Sequence, residues 1–274
     1  MKRLVRTALS VAAIVAGSLG VANTAQAAAE VLWLGQATVK ITSVEGKVIV
    51  IDPFLKKNPK TPAKYKDLKA LGKVDLILIT HGHFDHVADL KELAAMSGAK
   101  VVGNGAMTRQ LAQFGVIGAK QGISMNKSGT IMPLSGIKVH MVPAEHSSAL
   151  TLPHPKTGDR HTLYAGMPVG YVVELEDGFK IYHSGDTGVF GDMGLLVGEM
   201  HSPDVALICI GGHFTMDPAG AAYAVKNLLN ADKIIPIHYG TFPPLKGTPA
   251  QLKAALGGMA SKVMDVVPGQ AVTF

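Results

Sequence analysis

The stretch Val74–Ala95, "VDLILITHGHFDHVADLKELAA", carries near its start a continuous apolar run of strand length, Leu76 to Ile79. A run that is apolar at every position marks a strand covered on both faces. Directly after it, His81, His83, Asp85 and His86 fall within six residues. Imidazoles and carboxylates are poor core material, and crowding them costs desolvation and charge repulsion unless something pairs with them. A bound cation is the readiest partner. Val87, Leu90, Leu93 and Ala94 then recur at helical spacing, and Gly98 is a natural helix stop. Strand, polar loop and helix in succession form an α/β unit, and such folds gather their sites beyond the strand ends.

The flanking sequence extends this pattern. "EVLWLGQATVKITSVEGKVIVIDPF", residues 30–54, reads as short strands with a turn at Glu45-Gly46 and a stop at Asp52-Pro53. Residues 56–73, rich in Lys and Pro, read as an exposed loop followed by a short helix. "VGYVVELEDGFKIYHSGD" predicts a hairpin turning at Asp177-Gly178, whereas residues 147–168 read as an irregular segment. "PDVALICIGGHFTMDPAGAAYAVKNLL", residues 203–229, repeats the order strand, glycine-rich loop with a histidine, helix. The echo favours two similar α/β halves within one domain.

The first 27 residues are of another kind. Lys2, Arg3 and Arg6 precede an uncharged apolar stretch that ends in small residues, the layout of a cleaved signal peptide with its cut after Ala27. The apolar stretch is shorter than the ~20 residues a spanning helix needs. The expectation is therefore a signal peptide over 1–27, one mature domain over 28–274, a periplasmic or secreted location, and no membrane anchor after cleavage. Three positive charges leave with the leader, so the formal excess of six falls to three. That gives little support to nucleic-acid binding, which usually shows a dense basic face. The single cysteine, Cys209, lies in a strand-like run and reads as a small core residue.

The i, i+2 spacing of His81 and His83 lets both rings converge on one ion, while Asp85 and His86, at the start of the helix, face elsewhere. Two adjacent metal positions suit this better than one. His146 after "VHMVPAE", Asp186 in "YHSGD" and His238 in "IIPIHYGT" each follow a buried-strand pattern, where side chains can meet across a sheet edge. "HGHFDH" matches the H-x-H-x-D-H signature of the metallo-β-lactamase superfamily, and His146, Asp186 and His238 follow in its order. "LGQAT", "IDPF", "PAEHSS", "HSGDTGVFGDM", "IGGHFTM" and "IPIHYGTFPP" resemble its branch of uncharacterised metal-dependent hydrolases, which is itself similar to the ascorbate-6-phosphate lactonases. The resemblance implies an αββα four-layer sandwich with two metals at one edge. It also implies His81, His83 and His146 on the first metal, Asp85, His86 and His238 on the second, and Asp186 bridging. Asp52 matches the superfamily's strand-end aspartate, which orients the ligand loop; a turn-forming Asp-Pro is the plainer reading.

Two neighbouring cations lower the pKa of a shared water towards ~7 and stabilise the anion that develops on the substrate. The expected function is hydrolysis of an ester, lactone or phosphodiester-type small molecule by a two-metal-activated hydroxide, with zinc the first choice and manganese or iron possible. Asp85 is the expected proton-handling catalytic residue. His213, in a glycine-rich loop, is a candidate to bind substrate or protonate the leaving group, with a structural role the alternative; Tyr239 is a weaker candidate of the same kind. His140 and His183 lie inside strands and read as structural. Lys56, Lys57 and Lys60 either attract an anionic substrate or form a solvated surface. A mononuclear iron oxygenase on the same scaffold and a non-catalytic metal-binding protein are the rival functions.

Overall fold

Leu76, Ile77 and Leu78 form a strand with all three side chains buried, as the apolar run requires. Each such side chain removed from water contributes about 1.5–3 kcal/mol. The structure, a computed structural model, describes residues 28–154 and 156–274, so the signal peptide expected over 1–27 lies outside the described residues.

The first half supplies β1 (Glu30–Trp33), β2 (Val39–Thr42), β3 (Val48–Ile51), β4 (Leu76–Leu78), β5 (Lys100–Asn104) and β6 (Gly122–Met125). Its helices are α1 (Phe84–Val87), α2 (Leu90–Ser97) and α3 (Gly105–Gln113). There follow β7 (Thr130–Leu134), β8 (Ile137–Pro143), β9 (Ala149–Pro153), β10 (Arg160–Tyr164), β11 (Val169–Glu174), β12 (Lys180–His183) and β13 (Val205–Cys209). Helix α4 (Pro218–Asn227), β14 (Lys233–Ile237), α5 (Pro249–Leu256) and β15 (Ala271–Thr273) complete the chain.

Two large sheets result, one ordered β15-β1-β2-β3-β4-β5-β6 and the other β14-β13-β12-β11-β8-β7, beside a two-stranded sheet, β10-β9. Their facing sides share one apolar layer, in which Trp33, Ile41, Ile51 and Leu78 meet Val139, Tyr171, Leu207 and Ile237. The outer face of the first sheet packs against Leu90, Leu93, Met107 and Leu111 of α2 and α3. The outer face of the second packs against Ala221, Val225 and Leu252 of α4 and α5. This is the αββα sandwich, with four layers and three apolar seams. Among the described residues, no helix is long and apolar enough to cross a membrane.

The two halves do echo each other. β3 through β6 run parallel in the first sheet, and β12 through β14 in the second. The predicted turns hold: Gly178 has φ 88, and the Gly46 N–H donates to the Ser43 carbonyl at 2.8 Å. Gly98 caps α2 in the left-handed conformation. The helix expected after the histidine cluster is broken in two at Ala88–Asp89, because the Asp89 carboxylate turns away to accept from the N–H groups of Leu55 and Lys56. Segment 147–168 is not irregular. It contains the hairpin β9–β10, whose Leu150 and Leu152 join the outer core of the first sheet. Its strands read as loop because Pro153 ends β9, Gly158 lies in the turn, and their other faces lie in solvent.

Candidate metal centre

Five strand ends meet at one edge of the sandwich. His81 follows β4, His146 follows β8, Asp186 follows β12, His238 follows β14, and Asp52 follows β3. Residues leaving a strand end have no sheet partner to hold them, so side chains from both sheets can turn inward together.

His81, His83 and His146 offer ring nitrogens that lie within 4.8 Å of one another; so do the ligand atoms of Asp85, His86 and His238, and those of His81, His86 and Asp186. His83 faces the first group with Nδ1, 2.9 Å from His81 Nε2 and 3.3 Å from His146 Nε2. Asp186 Oδ2 sits between the groups. It lies 3.0 Å from His238 Nε2, 3.4 Å from His86 Nε2, 3.7 Å from His146 Nε2 and 3.9 Å from His81 Nε2. All seven ligand residues expected from the sequence are thus brought together.

The surrounding hydrogen bonds fix which atoms face inward. Asp52, fully buried, accepts from the Thr80 N–H at 2.8 Å, the Thr80 hydroxyl at 2.6 Å and His86 Nδ1 at 2.8 Å. A carboxylate only accepts, so His86 carries its proton on Nδ1 and presents Nε2 to the cluster. Thr80 gives its one proton to Asp52 and therefore accepts from His81 Nδ1, at 3.0 Å, which turns His81 Nε2 inward too. His183 is structural, as read from its strand. Its Nε2 donates to the Ala37 carbonyl and its Nδ1 accepts the Gly185 N–H, fixing the turn that delivers Asp186. Gly185, at φ 58, is required there, since a Cβ would lie 2.7 Å from the Val169 carbonyl oxygen and 2.9 Å from Thr80 Cβ.

Burial and charge divide the cluster. Burial pushes His81 well below its ordinary value and also lowers His83 and His146, leaving their rings neutral with lone pairs free. Burial would push His86 and His238 down as well, but Asp186 and the other carboxylates reverse it: His86 is held well above its usual range and His238 rises to about 9. Burial alone would raise the carboxyls. His86 and His238 instead hold Asp85 at about 2, and the same two histidines hold Asp186 well below the usual carboxylate range.

This donor set fits divalent cations. Five imidazoles and two ionised carboxylates are present, and the buried His86 Nε2 and Asp186 Oδ1 have no hydrogen-bond partner. Such orphaned atoms are costly unless a ligand satisfies them. A cation would displace the protons otherwise held by His86 and His238, so binding releases protons and tightens as pH rises.

Over the cluster opens a cavity of about 370 Å³, lined by Gln36, Asp85, His146 and Asp186 and by Phe84, Phe214, Phe242 and Leu245 among others. His213 is not among the lining residues. It has φ 59, is exposed, and packs edge-on against Phe214, which takes the cavity position instead. Tyr239 stacks on Trp33, ring centroids 5.3 Å apart, and does not line the cavity either. Gln36 is a site residue that motif reading missed. Fully buried at φ 52, its Nε2 lies 2.8 Å from Asp85 Oδ2 and 2.7 Å from His238 Nε2. Its visible sign was an amide between two apolar strands. Cys209 is buried, as expected, and burial pushes its thiol up to about 11.

A family model described as Beta-lactamase superfamily domain matches residues 47–239. A metal-dependent hydrolase of Cupriavidus necator is 53% identical over 249 residues, covering 90% of this chain and 86% of its own length. One from Polaromonas is 46% identical over the whole of both chains. The solved structure of Igni18, a metallo hydrolase from the archaeon Ignicoccus hospitalis, superposes with a TM-score of 0.76 at 34% identity, covering 90% of this chain and 98% of that one. The chain therefore belongs to the beta-lactamase superfamily, in its family of metal-dependent hydrolases.

Proposed function

We propose that the cluster holds two divalent cations and that the enzyme hydrolyses an ester, lactone or phosphodiester bond. His81, His83 and His146 would hold one ion, Asp85, His86 and His238 the other, and Asp186 would be shared. One observation carries this reading: Asp186 Oδ2 lies within 3.0–3.9 Å of histidine nitrogens from both groups. Zinc is the first choice for a histidine-rich set with some carboxylate. When bound, such a pair supplies Lewis acidity and a water that ionises near neutral pH.

The residues of the chain divide the remaining work. Asp52 and Thr80 hold His86 and His81 in the rotamers and tautomers that face inward. Gln36 donates to Asp85 Oδ2, so that carboxylate stays in the second group. Asp85 lines the cavity with a carboxylate ionised at neutral pH, positioned to take a proton from the attacking water and return it to the leaving oxygen. An iron oxygenase built on His81, His146 and Asp186 would leave Asp85, His86 and His238 without a part. With residues 1–27 as an export leader, the work would be done outside the cytoplasm.

The test is a panel of esters, lactones and phosphodiesters assayed on protein loaded with zinc, stripped by chelator and reloaded. Turnover of at least one class is expected to fall more than about tenfold on stripping and to return with zinc. Turnover indifferent to metal, or zinc binding with no hydrolysis of any class, would remove the proposal.

A further inference from the structure

Phe84 stands between two cluster residues, His83 and Asp85. Because both neighbours turn towards the cluster, Phe84 is carried outward and is 63% exposed. Phe214, from the loop after β13, is 58% exposed on the same cavity. Phe242, from the loop after His238, completes the wall, its ring centroid 6.0 Å from that of Phe84 and 6.2 Å from that of buried Phe54. Single exposed apolar residues are ordinary, but three phenylalanines from three separate segments converging on one polar cluster form a patch that water covers poorly. Among the described residues, no lysine or arginine lines this cavity. Lys56 is engaged with Glu92 at 2.6 Å, and Arg160 lines a separate cavity that shares His83 and Phe84 with this one.

We infer that the substrate is a neutral carboxylic ester or lactone whose apolar acyl or aryl group lies on Phe84, Phe214 and Phe242. The inference rests on the hydrolase reading above and narrows it. Charge on the scissile group would meet the proposed cations of the floor, but a charged tail would meet only the apolar rings of this wall. An apolar group gains from burial against the three rings, and its carbonyl then falls over the polar floor formed by Asp85, Asp186 and His238.

The experiment uses zinc-loaded protein and p-nitrophenyl esters from acetate to octanoate, with bis(p-nitrophenyl) phosphate as the charged comparison. kcat/KM is expected to rise about threefold per added methylene until the cavity fills. In the Phe84→Ala, Phe214→Ala double variant the octanoate-to-acetate ratio should fall by about tenfold or more. A readout free of turnover is saturation-transfer NMR with 2-decanone, whose signal should be strong on the wild type and lost on the double variant. Ester hydrolysis with a flat chain-length profile would overturn this inference and leave the hydrolase reading standing. So would a preference for the phosphodiester that Arg160→Ala abolishes. No hydrolysis of any member, nor of any lactone in the panel above, by the loaded protein would overturn both.

Discussion

Asp186→Ala is expected to lower kcat/KM by about 10⁴-fold or more, the largest loss of any single substitution in the site. Asp186 Oδ2 is the one oxygen facing histidines of both groups, so its removal takes a ligand from each proposed ion at once. Parts that act as a unit lose nearly all of their combined effect when one is removed. The same carboxylate is the main group holding His86 and His238 above the values that burial alone would give them. Without it, two buried imidazoles lose their chief anionic partner. Zinc affinity should fall by more than the 10–100-fold typical of a residue that only supports a ligand. Competition against a chelating dye measures that loss directly. A variant with wild-type zinc affinity would deny Asp186 its shared place.

Asp52→Ala gives the second large effect, and it acts on the fold as well as on the metal. Three donors converge on the Asp52 carboxylate, and all of the groups involved are buried. Alanine leaves the Thr80 N–H, the Thr80 hydroxyl and His86 Nδ1 without an acceptor. Removing one partner of a buried, hydrogen-bonded pair costs about 3–5 kcal/mol. Denaturant unfolding of the metal-free protein should show a loss of this size, with the midpoint shifted and the slope unchanged. Zinc affinity should also fall 10–100-fold, because His86 is freed to turn. A loss below about 1 kcal/mol would mean that Asp52 serves only the Asp-Pro turn, the plainer of the two readings of its sequence.

The ligands were legible because each is a polar residue placed just after an apolar strand, where side chains from different strands can meet. The spacing of His81, His83, Asp85 and His86 further limits how those four can point, and their division into two groups follows from it. The aromatic wall was not legible. Nothing in the sequence marks Phe84 as exposed; its exposure follows from the inward turn of its two neighbours. Phe214 and Phe242 lie in loops whose approach to Phe84 depends on both sheets being in place. His213 illustrates the same difficulty one residue at a time: the loop was correctly placed near the site, but its left-handed turn at His213 points Phe214 to the cavity instead. The hairpin β9–β10 escaped because a proline ends its first strand, a glycine lies in its turn, and the outer faces of its strands are solvated. Gln36 could have been found by asking what a buried amide between two apolar strands would bond to.

The measurement closest to the central claim is an anomalous-difference map from crystals of the zinc-loaded protein, collected on both sides of the zinc absorption edge. The account requires two peaks, one among His81, His83 and His146 and the other among Asp85, His86 and His238, with the Asp186 carboxylate between them. A single peak at full loading, or zinc bound anywhere other than this edge of the sandwich, would contradict it.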